Sequence, residues 1–160
     1  MTAIKITHMR PTLPGFLFGA VLLSTTVTAA DTSPVTYEKT IRPFMAGRCF
    51  TCHGPGSPSH VEFDKDMEGF KKQSKGPRMT SYEDLMVFVN GDDAGALMRR
   101  LDDGKNTKDG KPGNMHTNLG TTDAERTTAL AMFKQWTGVW SLKRSNEWSP
   151  LERQAVKAPR

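Results

Sequence analysis

Cys49-Phe50-Thr51-Cys52-His53 uses both cysteines of this 160-residue chain and follows them at once with one of its four histidines. C-x-x-C-H is the attachment signature of a c-type haem, and each position has a chemical reason. The two thiols add across the two vinyl groups of the porphyrin. Two intervening residues let one helical turn present both sulfurs along one haem edge. The adjacent imidazole then ligates iron from the proximal side. Three other readings compete for the same pair. An oxidising compartment favours a disulfide, and C-x-x-C also serves as a thioredoxin-like redox pair. That pair belongs in a βαβ context, and nothing here alternates strand with helix. Zinc takes four ligands, and past the first thirty residues the chain offers two cysteines and three scattered histidines.

Those thirty residues read as a secretory signal peptide. Lys5 and Arg10 precede an apolar stretch over Gly15–Val27, and Thr28-Ala29-Ala30 supplies small residues for cleavage near Ala30. The apolar stretch is short for a membrane span, and no later segment approaches one. Export to the periplasm follows as the expectation. Residues 31–160 then carry a net charge of +3, against +5 for the whole chain. Their basic residues are interleaved with acids, which argues against nucleic-acid binding.

The remaining pattern is helical, and the fold class expected is all-α. Ile41, Phe44, Met45 and Arg48 recur at helical spacing over Tyr37–Cys49, with Thr36 as a cap and Pro43 marking a kink or the true start. Val61–Met79 reads as a solvated loop or irregular helix, and His60 as a loop histidine. Ser81–Asn90 is a capped helix, with Gly91 placed to end it in the left-handed conformation. Asp93–Leu101 reads as a short helix. Thr122–Trp140 is the longest, opened by a Thr122–Glu125 capping box and striped by Ala129, Leu130, Phe133, Trp136 and Trp140. Between these two lies Asp102–Gly120, rich in glycine, a length that marks a functional or disordered loop. Residues 141–160 read as a polar, extended tail with Trp148 as a possible anchor.

An electron-transfer haem needs a second strong axial ligand. Seven methionines lie beyond residue 30. Met45 and Met132 fall within helices and suit a core role. Met115 lies in the Gly/Pro-containing loop before the last helix, where a side chain can reach over a planar group. Its neighbour His116 is the runner-up, and Met98 and Met79 are further candidates. Thioether ligation raises the reduction potential, whereas a second histidine lowers it.

With these residues in view the chain resembles the class I monohaem c-type cytochromes. Tyr37–Phe44 running into Cys49 is similar to that family's lead-in. Gly91-Asp92 followed by Leu97 and Leu101 resembles its segment before the ligand loop. Met115, Leu119, Thr122–Glu125 and Trp136 resemble its methionine loop and final helix. One departure stands out: His116 occupies the place where many relatives carry proline. The resemblance covers roughly residues 37–140. It implies three to five helices wrapped around one covalent haem c, with the N- and C-terminal helices crossing, in a cytochrome domain at 31–140. It also implies that a backbone carbonyl near Pro55 accepts from the unligated nitrogen of His53. Arg42, Arg48 and Trp140 are candidates for holding the haem propionates.

The function expected is one-electron transfer by a protein that is not itself an enzyme. It would dock weakly and transiently with redox partners through a rim containing Lys71, Lys72, Lys75, Lys105, Lys108 and Lys111. A haem subunit of a larger redox complex is one alternative. A haem enzyme or gas sensor, with the sixth site open or held by histidine, is the other.

Overall fold

The computed structural model describes residues 34–160; the expected signal peptide lies outside them. No strand occurs among the described residues, so the all-α expectation holds. Thr36 caps the first turn, its hydroxyl accepting from the Lys39 amide at 3.3 Å. A π-helical turn, Tyr37–Ile41, leads into α1 (Arg42–Arg48), and Pro43 sits in the first turn of α1, where its missing N–H costs nothing. The short α2 (Phe50–His53) follows directly.

The next stretch departs from the sequence reading. It forms α3 (His60–Lys65) and α4 (Met67–Lys72), joined at Asp66. Ser59 and Glu62 make a reciprocal capping box for α3. Phe63 is buried and stacks on Phe70 with ring centroids 6.1 Å apart. The segment has its own apolar seam at helical spacing, so it folds against the domain.

Then come α5 (Tyr82–Val89), α6 (Ala96–Leu101), a 3-10 turn at His116–Leu119 and α7 (Asp123–Thr137). Ser81 caps α5 through the Asp84 amide at 3.0 Å, while the Asp84 carboxylate turns to Arg78 at 3.2 Å. Gly91 is not left-handed; Asn90 caps α5, and both the Asn90 and Gly91 amides return to the Met86 carbonyl. The Thr122–Glu125 capping box forms as expected. α7 ends at Thr137, capped by left-handed Gly138, three residues short of the Trp140 that closes its apolar stripe.

The N-terminal helical segment packs on α7 through two aromatic pairs. Tyr37 and Trp136 centroids lie 6.4 Å apart, and Phe44 meets Phe133 edge-on at 5.7 Å. Trp136, Ile41, Leu85 and Val89 are excluded from solvent and define the core between α1, α5 and α7.

Residues 141–160 are not an extended tail. They carry a 3-10 turn at Ser145–Glu147 and the short α8 (Pro150–Gln154), and Trp148, Val156 and Ala158 are buried. The Pro159 carbonyl accepts from both the Tyr37 amide and the Trp136 indole at 2.8 Å. Tyr82 donates to the Ala158 carbonyl at 2.9 Å. This C-terminal strap satisfies donors of the core, which composition alone does not reveal.

Candidate haem cavity

The attachment motif sits where α1 gives way to α2. The Cys49 amide closes α1 on the Met45 carbonyl at 2.7 Å, and the His53 amide returns to the Cys49 carbonyl at 2.9 Å. This single turn sets Cys49, Cys52 and His53 on the wall of one cavity of about 560 Å³. That volume falls within the roughly 300–1,000 Å³ of cofactor sites. Met45, Phe63, Phe88, Leu97, Leu101 and Phe133 supply much of its apolar wall.

Backbone groups clamp the motif from the segment after α4. The Gly76 amide donates to the Cys52 carbonyl at 2.7 Å, and the Met79 amide to the His53 carbonyl at 3.0 Å. His53 Nδ1 lies 2.7 Å from the Pro77 carbonyl oxygen. A carbonyl only accepts, so Nδ1 carries the proton and Nε2 keeps its lone pair. Pro77 therefore takes the part expected of a carbonyl near Pro55. Pro77 lies 24 positions beyond His53, and the fold of α3 and α4 brings its carbonyl to the ring. Gly76 is required here, because a Cβ at this position would lie 2.2 Å from His53 Cε1.

Burial lowers the His53 pKa, opposed by the Pro77 hydrogen bond, so the neutral imidazole is favoured. Burial also pushes the Cys49 thiol up to about 11, against the pull of Arg48. Reactive C-x-x-C pairs have depressed thiol pKa values. The environment of Cys49 runs the other way and speaks against a thioredoxin-like role.

The structure sorts the distal candidates. Met115 lines the cavity, and its sulfur receives a long contact from Asn118 Nδ2 at 3.5 Å. His116 is absent from the cavity wall, its Nδ1 lying 3.0 Å from the Leu101 carbonyl. Met98 is fully buried away from the cavity, with the Ser141 amide on its sulfur at 3.2 Å. Met79 lines the cavity on the segment that clamps His53. His60, read as a loop residue, also lines it and packs edge-on against Phe88.

Of the residues suggested for the propionates, Arg48 lines the cavity and Arg42 does not. Trp140 is committed elsewhere, its indole donating to Asp102 at 2.8 Å. Arg100, which the sequence did not single out, and Lys75, expected in the docking rim, both reach the wall. Nothing in their spacing signals this, since it depends on how α4 and α6 frame the opening. Lys71 also lines the cavity, whereas Lys105, Lys108 and Lys111 stand exposed on the loop before Met115.

Two free thiols, an imidazole with its lone pair available, an apolar wall and several cations all fit a covalently held porphyrin with acidic side chains. The comparisons agree. A family model described as PccH Cytochrome c matches residues 36–157. The solved structure of the monohaem cytochrome PccH from Geobacter sulfurreducens is 42% identical in sequence, with a TM-score of 0.73. That match covers 79% of this chain and 98% of the other. The comparison with curated proteins yields no match. The chain belongs to the PccH cytochrome c family, monohaem c-type cytochromes with one covalently bound haem c.

Proposed function

We propose that the protein is a periplasmic one-electron carrier in which Cys49 and Cys52 form the thioethers, His53 is the proximal ligand and Met115 the distal one. When bound, haem c supplies a one-electron ferric/ferrous couple. The chain's own residues decide how that couple behaves. Pro77 fixes the His53 ring and raises its donor strength by holding the Nδ1 proton. Asn118 orients the Met115 thioether. The apolar wall keeps water from the site, which favours the less charged state.

One observation carries the ligand assignment: of the adjacent pair Met115-His116, Met115 lines the cavity while His116 turns its Nδ1 to a backbone carbonyl. Lys71 and Lys75 on the cavity wall would face a redox partner and support weak, salt-sensitive docking. The leader at residues 1–30 supports the periplasmic assignment.

Optical and EPR spectra of the purified protein test the reading. A low-spin ferric form with a methionine–iron charge-transfer band, lost on Met115→Ala, is expected. A bis-histidine EPR signal would move the ligand to His116. A high-spin resting state that binds carbon monoxide would replace electron transfer by enzyme or sensor chemistry.

A further inference from the structure

Asp102 is fully buried, yet it has no place in the cavity wall. Its Oδ1 accepts from the Gly104 amide and its Oδ2 from the Trp140 indole, both at 2.8 Å. Its backbone amide donates to the Met98 carbonyl at 3.0 Å, and its carbonyl accepts from the Gly113 amide at 2.8 Å. Four hydrogen bonds thus meet on one residue at the neck of a loop running from 102 to 115.

The other limb of that loop ends on Met115. Its amide donates to the Arg100 carbonyl at 3.0 Å, and the His116 ring sits on the Leu101 carbonyl. The two limbs press together at Gly104, which has φ of +85°; a Cβ there would lie 2.7 Å from the Gly110 oxygen and 2.8 Å from the Pro112 nitrogen. This is a compact loop whose ends are close and whose contents are packed by its own atoms. Its backbone anchors run to α6. The Asp102 carboxylate adds a different tie, to Trp140 just beyond the end of α7.

We infer that Asp102 is the positioning residue for Met115: its buried carboxylate ties the neck of the 102–115 loop to Trp140 and so holds the thioether in the cavity. The inference rests on Met115 being the distal ligand. A carboxylate serves this role because both of its oxygens accept. Asparagine has nearly the same shape but one acceptor and one NH₂ group. Placed at 102 it must face either the Gly104 amide or the Trp140 indole with a second N–H. One tie is then lost and a buried donor is left unpaired.

The test is imidazole binding to the ferric holoprotein, followed by the loss of the methionine–iron band. Imidazole competes with Met115 for iron, so its apparent affinity reports how firmly the sulfur is held. Asp102→Asn should bind imidazole about tenfold more tightly than the unaltered protein, as loss of one buried hydrogen bond implies. Trp140→Phe, which removes the indole donor from Asp102, should shift it several-fold in the same direction. Both should speed amide exchange at Gly113 and Met115 while leaving α7 protected. Should Asp102→Asn fail to fold, Trp140→Phe decides. Unchanged imidazole affinity in the folded variants would overturn the inference even if their melting points fall, because a purely structural role predicts that result. Met115→Ala separates the two levels. If it raises imidazole affinity and the other variants do not, only the role of Asp102 fails; if it changes neither spectrum nor affinity, the ligand assignment fails and takes this inference with it.

Discussion

At the scale of single residues the site depends on a hydrogen bond between His53 and Pro77 that Gly76 permits. Gly76→Ala would place a methyl carbon at 2.2 Å from the ring, a distance no contact sustains, so the ring or the clamp must move. The Nδ1–H bond would weaken and the imidazole would become a poorer donor to ferric iron. The expected outcome is a reduction potential higher by on the order of tens of millivolts, measured by spectroelectrochemistry. A midpoint that stays put or falls would deny Gly76 this role. Legibility divides at this scale according to sequence distance. Cys49, Cys52 and His53 could be recognised because their chemistry lies within five consecutive residues. Pro77 could not, because its partner is 24 positions away and the fold of the intervening α3 and α4 decides which carbonyl arrives.

Among the elements, those announced by their own ends were legible. Thr122 and Glu125 mark the start of α7 by a reciprocal capping box, and Ser81 marks α5. The same signature at Ser59 and Glu62, with Phe63, Met67 and Phe70 at helical spacing behind it, was available to identify α3 and α4. The density of lysines there obscured it. Thr122→Ala should lower unfolding stability by about 0.5–2 kcal/mol, read from urea denaturation. The C-terminal strap was illegible for another reason: its stabilising groups are mostly backbone carbonyls, which carry no residue signature. It also makes a pH-dependent element. Glu152 is held down to about 2, first by its hydrogen bond to Lys143 and then by Ser149. A carboxyl whose folded pKa is depressed adds stability above its unfolded value and loses it as pH falls through the folded one. The strap should therefore loosen between about pH 4.5 and about 2. Relief of haem quenching of Trp148 fluorescence would register that step, and Glu152→Gln should remove its pH dependence. Persistence of the same acid transition in the variant would assign it to another group.

For the whole molecule the cavity dominates. When nothing fills its roughly 560 Å³, the apolar wall formed by Met45, Phe63, Phe88, Leu97, Leu101 and Phe133 lacks packing partners on one side. Filling the cavity therefore supports the packing of the whole domain. The double variant Cys49→Ser/Cys52→Ser, unable to form thioethers, should lack a cooperative thermal transition by near-ultraviolet circular dichroism. A sharp melt in that variant would show that the protein packs without the covalent group. The charge distribution gives a second expectation at this scale. With Lys71 and Lys75 on the cavity wall, electron transfer to a small anionic oxidant should slow as salt rises, and Lys75→Glu should reduce both the rate and its salt dependence.

The bond from the Tyr37 amide to the Pro159 carbonyl joins positions 122 residues apart, just ahead of the attachment motif and almost at the last residue. No N-terminal portion of the chain can make it. Residues 157–159 also cap Trp136 and Thr137, so the same strap holds the first helical turn and the end of α7. The strap thus works as a latch, fastening Tyr37 at the start of the first helical turn to Pro159.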